Sequence, residues 1–76
     1  MNAKRSYAIL LFLSANHALR AEKVLLDSGI ACKLIPVPKD ISSECGICVR
    51  ILKTETQKSV AELTNHKLLV TKCINI

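Results

Sequence analysis

Both prolines of this chain fall close together, at Pro36 and Pro38, and the break they open closes only at Gly46. Proline lacks the N–H that a strand ladder needs, so a strand running into Pro36 stops there. The segment from Pro36 to Gly46 is therefore read as a loop between two apolar runs. Ala31 to Ile35 forms a short strand before it, and Ile47 to Leu52 forms another after it. Two strands joined by one loop set an antiparallel pair at the middle of the chain, and the rest must pack around that pair.

The flanking segments alternate in type. Tyr7 to Leu13 is nearly unbroken in apolar residues, as expected of a central strand covered on at least one face. Ser14-Ala15-Asn16-His17 then carries helix-start residues, with Ser14 or Asn16 as N-cap. The helix runs to about Ser28, and Gly29 suits the C′ position. His17, Ala18, Ala21, Val24, Leu25 and Ser28 share one face, while Leu19 and Leu26 fall opposite with Lys23. Thr54 is placed to cap a second helix reaching about His66, with Val60 and Leu63 as its thin apolar stripe. Leu68 to Ile76 reads as a fourth strand on which Leu68, Val70, Ile74 and Ile76 alternate with other residues. The order β-α-β-β-α-β predicts an α+β, ferredoxin-like sandwich: a four-stranded antiparallel sheet with two helices on one face. Right-handed crossovers give the spatial order four-one-three-two, with the second strand at an edge.

Seventy-six residues make a single small domain, 1–76, whose core is marginal enough that self-association as a homodimer is compatible with it. Half of the residues are hydrophobic, which excludes a disordered chain. The net charge of +5 invites nucleic acid as a partner, but Tyr7 and Phe12 are the only aromatic residues. A single-strand binder needs stacking platforms, so nucleic acid is set aside. No apolar run approaches the ~20 residues of a membrane span. Lys4 and Arg5 ahead of an apolar stretch resemble a short signal peptide, yet Leu13-Ser14-Ala15 puts a large residue where cleavage wants a small one. The segment is read as a core strand and the protein as cytoplasmic.

The chemistry concentrates in the central loop. In the expected topology, the first strand ends at the sheet edge that carries this loop. Cys45 then lies close to the amino end of the first helix, where unsatisfied N–H groups and the helix dipole favour an anion. Such surroundings lower a thiol's pKa, and Gly46 beside it leaves the sulfur approachable. His17 adds a proton or a positive charge, or simply caps and packs. Arg20 and Lys39 make the neighbourhood basic.

Cys45-Gly46-Ile47-Cys48 has the Cys-x-x-Cys spacing of a dithiol, with Cys48 as the resolving thiol. On a strand, however, three residues span roughly 10 Å and odd offsets face opposite sides. A disulfide needs Cα atoms within about 7 Å, so the pair bridges only across a turn or a helix start. Otherwise Cys48 is a small apolar residue on the sheet's open face. Cys32 and Cys73 are expected on opposite edge strands, both far from Cys45, as small buried hydrophobes. A zinc site needs four ligands and the loop with His17 supplies three at most, so neither metal nor cofactor is expected. Leu19 and Leu26 either cover chain ends or form a self-association or partner patch.

Taken together, the residues resemble the selenium/sulfur carrier-like family of small bacterial proteins. The resemblance runs over nearly the whole chain. It includes Asn16-His17-Ala18-Leu19-Arg20-Ala21-Glu22-Lys23-Val24-Leu25, Gly29-Ile30 and Leu34-Ile35-Pro36-Val37-Pro38, and is most distinctive at Ile41-Ser42-Ser43-Glu44-Cys45-Gly46. It implies that Cys45, in the Ser-Ser-x-Cys-Gly element, carries a persulfide or perselenide. Ser42, Ser43, Arg20 and Lys39 are then the residues expected to meet the incoming donor. Cys48 departs from the family pattern, which has a small apolar residue there, often alanine. The function expected is a carrier, rather than an enzyme, that takes sulfur or selenium from a donor protein and hands it to an acceptor. The alternatives are a small interaction or regulatory module with structural cysteines, and a Cys45/Cys48 thiol–disulfide switch.

Overall fold

The computed structural model describes residues 6–41 and 46–76. Its elements are β1 (Tyr7–Leu11), α1 (Ala15–Asp27), β2 (Cys32–Pro36), β3 (Ile47–Leu52), a 3-10 turn (Lys53–Glu55), α2 (Thr56–Asn65) and β4 (Lys72–Asn75). The four strands form one antiparallel sheet in the order β2-β3-β1-β4. Read from the β4 edge, this is the four-one-three-two succession.

β1 is the centre of the molecule. It pairs with β3 on one side and β4 on the other, and Ala8, Ile9, Leu10 and Leu11 are all buried. Period-two alternation sends these residues to two different layers. Ala8, Leu10 and Phe12 join Val49 and Ile51 beneath Ala18, Ala21 and Leu25 of α1 and Leu63 of α2. Both helices therefore cover the same face. Ile9, Leu11 and Cys48 point the other way into a smaller cluster with Ile35, Val37, Ile41 and Ile74. Val37 and Ile41 belong to the connection after β2, so the face expected to be open is in part roofed by the chain's own loop.

The ends of α1 follow from local chemistry. Ser14, in extended backbone, is the N-cap and accepts the His17 N–H. At the other end the Gly29 N–H donates to the Leu26 carbonyl and the Ile30 N–H to the Leu25 carbonyl, and Gly29 has φ +79. This is a Schellman closure with glycine at C′. α2 closes the same way: the Lys67 N–H donates to Thr64 and the Leu68 N–H to Leu63. Here, though, the left-handed position is held by Lys67, at φ 60.

Three sequence expectations need correction. Thr54 does not cap α2, because it lies inside the 3-10 turn, which delays the helix to Thr56. The helix is entered with no side-chain cap, through Glu55. β2 includes Pro36, which stands opposite Ile47; on an edge strand, the missing N–H is tolerated. β4 is only Lys72–Asn75. Leu68 and Val70 lie in the helix-facing core and Ile74 in the opposite layer. One straight strand cannot send even-numbered residues to both faces. The irregular segment before β4 is anchored instead by Thr71, whose N–H and hydroxyl both donate to the Leu11 carbonyl, at 2.8 and 3.0 Å.

One buried polar atom is left over. Ser59, on the core face of α2, is fully buried and its Oγ has no hydrogen-bond partner. A buried hydroxyl without a partner carries its desolvation cost in full, about 1–3 kcal/mol. Ser59→Ala is therefore expected to raise the thermal midpoint; a midpoint lowered by several degrees would mean that the hydroxyl is satisfied. The two helix closures give a paired test. Gly29→Ala should lose about 1 kcal/mol, since a Cβ there meets no neighbour and only the positive φ penalises it. Lys67→Gly should gain stability by a similar amount. Denaturant midpoints moving in the same direction for both would contradict the Schellman assignment.

Candidate functional site

Leu10 pairs with Val49, and Pro36 pairs with Ile47. Hence β1 and β2 end, and β3 begins, at one end of the sheet. The loop and the amino end of α1 are therefore neighbours in the fold. Ser42, Ser43 and Cys45 lie outside the described residues. What the structure describes is the frame on either side of them: Pro36 to Ile41 and Gly46.

This frame is ordered by specific contacts. The Val37 N–H donates to the Gly46 carbonyl at 3.1 Å, one step beyond the last ladder pair, and the Ile41 N–H donates to Pro38 at 3.0 Å. The Val37 and Ile41 side chains sit on Ile9, Leu11 and Cys48. Sequence reasoning passed over these two residues. The available signal was that a wholly solvated loop has little use for two β-branched hydrophobes. Gly46 has φ +77, and a Cβ there would meet nothing within 4 Å. Glycine is needed at this position for its backbone conformation, while the space beside it is open.

His17 stands in the first turn of α1, half-buried, with Nδ1 2.6 Å from Ser14 Oγ. The same oxygen accepts the His17 backbone N–H at 3.3 Å. A serine hydroxyl has a single proton to give. Its oxygen also has two lone pairs, so Ser14 Oγ meets Nδ1 as donor or as second-time acceptor according to the ring's tautomer. The contact holds the ring against the helix cap. Arg20 is exposed, as is Lys39 in the connection. Each stands on an element of this end of the molecule, but neither has an ion-pair partner among the described residues.

The other cysteines have separate environments. Cys48 is fully buried, opposite Ile35 in the ladder and under the loop's side chains. Cys32, facing the helices, approaches the Glu22 carbonyl with its Sγ at 3.7 Å. Burial pushes the Cys32 thiol up from its ordinary value, and the Glu22 carboxylate adds to the effect. Cys73 corrects the sequence reading twice. It is exposed, and it pairs with Leu10, nearer the loop end than the far end, because β4 begins only at Lys72. Among the described residues, no three His, Cys, Asp or Glu side chains converge, and no helix is long and apolar enough to cross a membrane.

Residues 7–75 match the family described as Putative Se/S carrier protein-like, and the chain belongs to that family. No curated protein and no solved structure matches it.

The three described thiols should separate cleanly in a reactivity assay. In the native protein near neutral pH, Cys73 is expected to react fastest with a thiol-selective disulfide and Cys48 slowest. Cys32 should lag, then accelerate as pH rises past the ordinary value of 9.0. The sign follows from linkage: the fold holds this thiol neutral, so its contribution is intact below that value and is lost as pH climbs through the raised one. Site-resolved mass spectrometry that found Cys48 labelled as fast as in urea would contradict the roofed layer.

Proposed function

We propose that this protein is a carrier of sulfur or selenium, with Cys45 as the carrying atom. The observation that bears most weight is the family match over residues 7–75, joined to the position of the Ser-Ser-x-Cys-Gly element in the connection between β2 and β3. The domain is a ferredoxin-like split βαβ sandwich, in which that connection and the start of α1 share an end.

In the loading step, the Cys45 thiolate attacks the outer sulfur of a donor persulfide. A new S–S bond forms on Cys45 and the donor's own S–S bond breaks. The donor leaves as a thiolate, and no external oxidant or reductant is consumed. Selenium follows the same balance, giving a perselenide. Delivery repeats the exchange on an acceptor. Backbone N–H groups at the start of α1 favour the anionic sulfur, and the His17 ring, in the same turn, offers it a hydrogen bond. Ser42 and Ser43 offer hydroxyls to the donor group. Arg20 and Lys39 draw in an anionic partner surface. The reaction belongs in the cytoplasm, where thiols stay reduced. The two partners are proteins, a donor and an acceptor.

The second reading is an interaction module. It is favoured by Leu19 and Leu26, which stand 49% and 53% exposed on the outer face of α1; the same patch serves a carrier as a docking surface or a homodimer contact. The Cys45/Cys48 switch is disfavoured by the full burial of Cys48.

Incubation with a cysteine desulfurase and cysteine, followed by intact mass, tests the carrier directly. The expected outcome is a gain of one sulfur atom, removed by a reducing agent and absent in Cys45→Ser. Loading that survives Cys45→Ser would take the role away from this residue. Loading equal in wild type and His17→Gln would remove His17 from the mechanism.

A further inference from the structure

The layer roofed by the loop does not extend along the whole face. Val37 and Ile41 cover Ile9, Leu11 and Cys48. Toward the beginning of β1 the same face carries Tyr7, Arg50 and Lys33. Ile9 pairs with Arg50, and Arg50 pairs with Lys33. Residues directly opposite in a ladder share a face, with Cβ atoms about 4.5–5.5 Å apart. Two cations thus stand side by side on neighbouring strands, an arrangement that is unfavourable by itself.

Nothing among the described residues offsets it. The one ion pair there is the helical contact of His66 with Glu62, and neither Lys33 nor Arg50 has a carboxylate partner. Arg50 is nonetheless held in place: its guanidinium carbon lies 4.3 Å from the centroid of the Tyr7 ring. A cation over an aromatic face fixes the guanidinium plane while leaving its edge N–H groups available. The three residues line a cleft of about 250 Å³ together with Ala31, Cys32, Ile51 and Leu52.

We infer that this cleft is a binding site for a small tetrahedral oxyanion, held between the Arg50 fork and the Lys33 ammonium. The bound class is a phosphate-like dianion, free or as a phosphate monoester. A guanidinium edge meets two of its oxygens in parallel, and a lysine adds a point charge. The anion also removes the repulsion between the two cations, so binding and stabilisation go together. The site stands at the opposite end of the strands from the loop, and its test does not depend on the carrier reading.

Inorganic phosphate, titrated at constant ionic strength against chloride and followed by amide and arginine side-chain NMR, is the direct test. Saturable shifts at Tyr7, Lys33 and Arg50 are expected. Arg50→Gln should weaken binding about tenfold or more, and Lys33→Gln should weaken it as well. Phosphate should raise the thermal midpoint of wild type but not that of Arg50→Gln, while the unliganded variants stay folded. Adenosine monophosphate separates the sources: tighter binding at the same residues assigns a monoester, and weaker binding assigns the free ion. Shifts that grow linearly across the surface, or affinity unchanged by Arg50→Gln, would overturn the site. So would single-stranded RNA that displaces phosphate with much higher affinity, which would make the face a nucleic-acid surface instead.

Discussion

Burial of β1 on both of its faces is the constraint on which the rest of the molecule rests. A strand with ladder partners on each side and apolar residues pointing both ways needs two covers. The helices supply one, through Ala18, Ala21, Leu25 and Leu63. The described residues include no third α-helix to supply the other. The loop does it, by laying Val37 and Ile41 over Ile9, Leu11 and Cys48. Each large side chain removed from water contributes about 1.5–3 kcal/mol, so the second layer is a substantial share of a marginal stability.

This gives the connection between β2 and β3 two roles at once. Its apolar residues complete the core, and its Ser-Ser-x-Cys-Gly element carries the candidate chemistry. Its described residues are anchored by the Val37 bond to Gly46 and by the Ile41 turn. The same economy appears at the start of α1, where Ser14 both caps the helix and holds the His17 ring.

Charge follows a different logic. The net charge of +5 is not spread evenly over the fold's surfaces. Lys33 and Arg50 meet across strands, and Arg50 rests on one of the chain's two aromatic rings. Lys39 and Arg20 belong to the opposite end of the sheet. The molecule thus presents cations at both ends of its strands.

Local signals in the chain were enough for the element order, the Gly29 closure and the buried face of α1, and narrowed the α1 cap to Ser14 or Asn16, of which the structure uses Ser14. Each depends on a few consecutive residues whose steric and hydrogen-bonding preferences act locally. The succession of strands also followed, because crossover handedness leaves little choice once the order is known. What local pattern missed was decided by contacts distant in sequence. The switch of faces between Val70 and Ile74 comes from Thr71 binding the Leu11 carbonyl. The burial of Cys48 comes from loop residues before it, and the exposure of Cys73 from the late start of an edge strand. The meeting of Lys33, Arg50 and Tyr7 required three strands in register. Alternation states that a residue faces one side or the other; only the assembled sheet, with its uneven covers, determines what waits there.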